Sequence, residues 1–216
     1  MLDLQYLDSW LCLIGHAELH AIRMHLFLYV FAWREQYMKL NVGEKVAYPN
    51  QGVCLVEEFK SYVVAGNTMS GYSLRVLNDN STIFVPEANA NCIGIRPLMS
   101  AKQCKRLIDA LGQDFELVSL DWKTRSKEFI EKLRSGDLFE VADVLKKLTF
   151  LSHEKKLSFR EQTLMEKARF LIVSEITNAD RSKEKHVDSE VARLVGVACT
   201  KHLITQPEMM AAAATP

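Results

Sequence analysis

Ile95-Arg-Pro-Leu-Met-Ser-Ala-Lys-Gln103 is where this chain changes its period. Up to Arg96-Pro97 apolar residues alternate with polar ones, as in half-buried strands. From Ser100 on they recur every three or four residues, as on one face of a helix. Ser100-Ala-Lys-Gln103 has the spacing of a capping box, in which serine and glutamine side chains each satisfy a free N–H at the helix start. Cys104, Leu107, Ile108 and Leu111 then fall on one face, and Gly112 ends the helix. One chain with two periods in two blocks reads as α+β with two modules.

Upstream of that switch, five short strands fit between Lys39 and Pro97. Glu44–Tyr48 is stopped by Pro49-Asn50-Gln51-Gly52, a turn by composition. Gly52–Phe59, Tyr62–Ala65, Gly71–Leu77 and Ser81–Pro86 follow, separated by Gly66-Asn67 and Asn78-Asp79-Asn80. Strands this short and this tightly joined predict a small SH3-like or Tudor-like barrel, whose sheet edges must be covered or used. Its charges balance, which suits docking on a protein, by strand addition for example, better than gripping DNA.

Downstream, the spacing predicts helices from about Thr124 to Ser135, from Asp137 through Leu148, from Ser158 to Asn178 and from Asp188 to Leu203. Ser152–Lys156 reads as a polar loop, with His153 simply solvated, and Gln206–Pro216 as a frayed tail. The first of these helices opens with Trp122, followed by Lys123, Arg125 and Lys127. Two readings stand for that start. In one, the indole closes a core under a solvated basic rim. In the other, the cations sit on phosphates while the ring wedges beside a base. From Asp121 to Lys185 fifteen lysines and arginines face twelve acidic residues, a mild basic excess.

Composition bounds the rest. The 216 residues carry no formal net charge, so any contact with nucleic acid must come from a local patch. Five scattered cysteines form no Cys-x-x-Cys pair, which argues for reduced thiols in a cytosol and against a zinc site. Residues 1–37 have a different texture, with apolar runs too short to span a membrane and no basic start for a secretory signal. Cys12, His16, His20 and His25 lack the framework of a metal centre. The abrupt change at Met38 suggests that translation naturally begins there and that 1–37 is upstream sequence read in frame. We find no Walker loop, no Gly-x-Gly-x-x-Gly, no Gly-x-Ser-x-Gly and no His-Glu-x-x-His, and neither His186 nor His202 has a visible partner. A binding protein without cofactor is expected, not an enzyme.

Several motifs resemble the CarD/CdnL family of bacterial transcription regulators. In the β half they are Val42-Gly-Glu-Lys-Val-Ala-Tyr-Pro49 with Gly52-Val53, Val85-Pro86, and Gly94-Ile-Arg-Pro97. In the helical half they are Asp121-Trp-Lys-Thr-Arg125, Leu133-Arg-Ser-Gly-Asp137, Val141-Ala-Asp-Val144, Leu157-Ser158 and Glu166-Lys-Ala-Arg169. The resemblance runs from about Met38 to Asn178. It implies domains at 38–99 (polymerase interaction) and 100–205 (DNA binding), between an extension at 1–37 and a flexible tail at 206–216. It also implies that the barrel docks on the RNA polymerase β subunit, here through Tyr62, Val63, Val64 and Phe84. Promoter DNA would be met by Trp122, Lys123, Arg125 and Lys127, largely independently of sequence, with the indole in the minor groove at the edge of the bubble. A monomer in the cytoplasm, associated with the nucleoid and not with membranes, completes the expectation. The chain departs from relatives where Tyr62 and Phe84 stand for basic residues on the polymerase-facing strands. Phe150 and Leu151 replace arginines, and Gln162 and Thr163 replace a basic pair, which predicts weak DNA affinity in isolation. The competing expectation is a protein–protein adaptor whose barrel binds another partner and whose helices never touch DNA. Phe84 also admits a reading as plain barrel core, and Tyr62 as an amphipathic edge residue.

Overall fold

The structure is a computed structural model that describes residues 39–64, 67–116, 118, 121–179 and 186–213, with side chains left out at 64, 67, 91 and 206–213. The expectations for residues 1–37, including the histidine group and the start at Met38, lie outside the described residues. From Leu40 onward the chain belongs to one compact unit.

The β half is a single antiparallel sheet of β1 (Lys45–Tyr48), β2 (Gly52–Val64), β3 (Asn67–Val76), β4 (Thr82–Pro86) and β5 (Arg96–Pro97), in the order β4-β3-β2-β1-β5. One face is apolar: Val46, Cys54, Val56, Tyr72, Leu74, Val76 and Val85 are buried on it. Two expectations are corrected. The separate strands Gly52–Phe59 and Tyr62–Ala65 are one 13-residue strand, and the register slips between Val56 and Glu58. An extra residue there bends and twists the strand, which lets a long strand take part in a curled sheet. The fifth strand is Arg96–Pro97, which pairs with Val46 and Ala47; its proline is tolerated because it lies at the edge. A helical turn, Glu87–Ile93, leads into it.

The helical half comprises α1 (Ala101–Leu111), α2 (Trp122–Ser135), α3 (Leu138–Glu154), α4 (Phe159–Ala179) and α5 (Val187–Ala213). The Ser100–Gln103 box caps α1 as expected. Helix α2 begins at Trp122 and not at Thr124, because the Asp121 carboxylate accepts the Lys123 and Thr124 N–H groups, at 3.3 and 3.0 Å. Helix α3 takes in Ser152–Glu154 of the expected Ser152–Lys156 loop, leaving only Lys155 and Lys156 outside it, and the backbone of α5 continues past Leu203 to Ala213.

Helix α3 is the axis. It packs against α1, α2, α4 and α5, and Val141, Val144, Leu145 and Leu148 meet Leu107, Phe129, Ile172 and Val191 in one core. Phe150 and Leu151 are buried there too, which is the physical reason they are not arginines. Being surrounded, α3 hides two lysines. Lys146 Nζ donates to the carbonyls of Ala110, Gln113 and Asp114 at the end of α1. Lys147 pairs with Asp143 at 2.9 Å.

The halves meet along α4, which lies against β2. Arg96 of β5 forks onto Glu175 of α4, at 2.5 and 2.9 Å, and donates from Nε and Nη2 to the Gly136 carbonyl, at 3.2 and 2.9 Å. Glu175 also accepts from Met99 N–H at 3.0 Å, and Lys45 Nζ donates to Asn178 at 2.7 Å.

Candidate nucleic-acid interface and barrel face

Trp122 is the first residue of α2 and is 59% exposed. The expectation that would have removed it from function, an indole sealed in the core, does not hold. Lys123 Nζ sits 5.9 Å from the ring centroid, within cation–π range. Lys127 is exposed, with only a loose 3.9 Å approach to Glu131. Arg125 is different: it is buried, and its Nη2 meets Glu161 of α4 at 2.9 Å. Its charge faces inward, so its part in any contact is to position α2 against α4, and the phosphates are left to the exposed cations.

That ion pair spans a groove of about 320 Å³ between the starts of α2 and α4. Trp122, Phe129 and Leu164 give it an apolar wall, and the exposed Lys155 and Arg160 stand at its rim. Ser126 Oγ is buried there and has no hydrogen-bond partner among the described residues. Glu161 closes its own capping box, accepting from Ser158 N–H at 3.0 Å and Ser158 Oγ at 2.7 Å. Burial pushes its carboxyl up, but the hydrogen bonds from Ser158 and then Arg125 outweigh that and hold it near 2. At neutral pH the carboxylate is therefore charged and already engaged by Arg125 and Ser158, and it repels an anion less than a free glutamate would. Sequence reading missed Lys155, Arg160 and Phe159. Phe159 is 85% exposed at the first position of α4; the signal was a phenylalanine inside a capping box, where nothing calls for an apolar residue.

On the barrel, strand alternation sorts the expected residues. Tyr62 pairs with Met69 and Phe84 with Ser73, so all four point to the outer face. Tyr62 and Phe84 meet edge to face, with centroids 4.8 Å apart, so Phe84 is not inner-face core. Phe84 lies across Gly71, where a Cβ would stand 2.7 Å from its ring and 2.4 Å from the Val85 carbonyl. Val63 is exposed on the opposite face, and the Val64 side chain is outside the described residues. Charges around the patch are cancelled locally, Lys60 by Glu58 and Arg75 by Glu57. Among the described residues no strand pairs with the β1 side of β2 beyond Val56, whose backbone exchanges hydrogen bonds with Gly43 and Glu44, and that leaves an open edge beside the patch.

Comparison with known families places both halves. Residues 40–99 match the CarD-like/TRCF RID domain, and residues 106–192 match the CarD C-terminal domain, together about two-thirds of the chain and in the expected order. The chain belongs to the CarD/CdnL family. It is 24% identical over 148 residues to a Bacillus subtilis (strain 168) protein described as "Putative transcription factor YdeB", covering 68% of this chain and 97% of that protein. It is also similar to the 72-residue N-terminal domain of Myxococcus xanthus CarD, solved by solution NMR: 39% identity over 27% of this chain and 79% of that one, with a TM-score of 0.24. A CarD/CdnL chain is a transcription regulator with RNA polymerase as its partner, and not an enzyme. Among the described residues no helix is long and apolar enough to cross a membrane, and no cluster of His, Cys, Asp and Glu can hold a metal.

Proposed function

We propose that this regulator stabilises the open promoter complex, its barrel holding the polymerase β subunit while α2 presents Trp122 to the upstream edge of the melted DNA. The observation that carries this reading is the exposed indole at the start of a capped helix, with Lys123, Lys127, Lys155 and Arg160 in solvent around it. A flat apolar ring slipped beside an opened base step replaces part of the lost stacking, and cations on the flanking phosphates offset the cost of insertion. A gain of about 1.4 kcal/mol in the open state shifts the closed–open equilibrium about tenfold. The polymerase supplies the address. The Tyr62–Phe84 face and the free edge of β2 form an apolar, charge-cancelled surface suited to a protein, engaged by added strand and aromatic contact. The protein works in the cytoplasm, beside the nucleoid, as a monomer.

Trp122→Ala tests this. The expected outcome is unchanged thermal unfolding, because the ring is largely outside the core, with loss of the wild-type extension of open-complex lifetime on a promoter fragment with polymerase. A variant that keeps the full lifetime effect sinks the wedge. Collapse of the helical half on mutation would restore the core reading of Trp122. Absence of salt-dependent binding to a forked promoter fragment, even with polymerase present, would favour an adaptor that never touches DNA.

A further inference from the structure

We infer that Arg96 is a positioning residue that fixes the Trp122 helix relative to the barrel, so that the two modules act as one rigid caliper. This rests on the proposed function for its consequence, but its structural part stands alone. Helix α2 is held at both ends, and each hold goes through α4. At its start Arg125 meets Glu161 in the first turn of α4. At its end the Gly136 carbonyl takes two hydrogen bonds from Arg96, which also forks onto Glu175 near the far end of α4. Helix α4 is thus a strut with a carboxylate at either end, and the Arg96 end is rooted in the barrel, because β5 is hydrogen-bonded to β1.

The surroundings fit a permanent joint and not a sliding contact. The Glu175 side chain is only 5% exposed, and among the described residues its hydrogen bonds run to the segment Arg96–Met99. Gly136 has a left-handed φ of 77°, and a Cβ there would stand 3.1 Å from Pro49 of the barrel turn. A planar fork that serves a carboxylate and a carbonyl together cannot be replaced by a point charge. Pro49, Arg96 and Gly136 belong to the short motifs singled out in the sequence, yet neither candidate surface uses them. They converge on this seam.

The consequence is geometric. If polymerase holds the barrel, the place where the indole meets DNA is set by the seam, and a loosened seam spreads the ring over positions that miss the opened step.

Arg96→Met tests it in the full chain, with spin labels on exposed sites of β3 and α2 and distances read by electron–electron double resonance. Expected are a broadened distance distribution, polymerase β binding within twofold of wild type, and a drop of at least fivefold in the extension of open-complex lifetime. A distribution as narrow as wild type overturns the joint. A broad distribution with full lifetime extension overturns its role in positioning. If wild type itself does not extend the lifetime, the proposed function fails while the distance measurement still decides the joint. Glu175→Gln, which keeps shape and removes charge, repeats the test should Arg96→Met fail to fold, and rescue by Arg96→Lys would show that charge alone suffices and overturn the fork.

Discussion

Arginine 125 shows how a residue that reads as a ligand contact becomes a structural one. It sits among Lys123 and Lys127 in sequence, but at helical spacing it turns toward α4 and is 3% exposed. Its partner gives a pH signature. Glu161 falls from an ordinary value of 4.5 to about 2 in the fold, so its stabilising contribution is complete above about pH 4.5. It is lost as the pH drops toward 2. Glu161→Gln should therefore cost about 1–3 kcal/mol at pH 7, since the buried Arg125 loses its charged contact with α4. The gap to wild type should shrink between pH 4.5 and 2. Urea unfolding at pH 7, 4 and 2.5 measures it; a gap that does not change with pH would assign the loss to packing.

Among the elements, legibility followed solvent exposure. The caps at Ser100, Asp137 and Ser158 were readable because capping is local chemistry with fixed spacing, whereas the Asp121 cap was missed and with it the first turn of α2. The split of β2 was misread because its second half leaves the barrel with Phe59, Tyr62 and Val63 all exposed, so burial imposes no alternation there. The last turn of α3 was misread for the mirror reason: Ser152-His-Glu is polar because it is solvated, not because it is a loop. The Tyr62–Phe84 pair was named from sequence, but its support, Gly71, was not, because only the register shows that the Phe84 ring crosses it. Gly71→Ala should cost about 1–3 kcal/mol by overpacking against backbone and weaken polymerase binding by displacing Phe84. Gly196→Ala in α5, where a Cβ meets nothing within 4 Å, is the control and should stabilise by about 0.5–1 kcal/mol. Thermal unfolding of both, with β-subunit titration, separates the two effects.

For the whole molecule, counting charge overstated the cationic surface. Of the helical half's basic residues, Arg125, Lys132, Lys146 and Lys147 are turned to internal carboxylates and carbonyls, so the exposed cations beside Trp122 are Lys123, Lys127, Lys155 and Arg160. Binding should then be weak without polymerase and only modestly sensitive to salt. Arg160→Ala should reduce the slope of log affinity against log salt by about 1 on a forked promoter fragment with polymerase. Fluorescence titration from 50 to 300 mM salt reads this, and an unchanged slope would remove Arg160 from the interface.

The last helix adds a consequence for biosynthesis. His202 is buried, stacked on Phe115 at 4.0 Å and paired with Asp114 at 2.8 Å, and Lys201 reaches back to the Gly112 carbonyl at 2.6 Å. The end of α1 is thus tied down by residues synthesised about ninety positions later. The sheet is complete once Pro97 has emerged, whereas the helical core waits for His202, roughly 5–20 seconds more at ordinary elongation rates. A newborn chain can close its β module well before it owns a folded helical one.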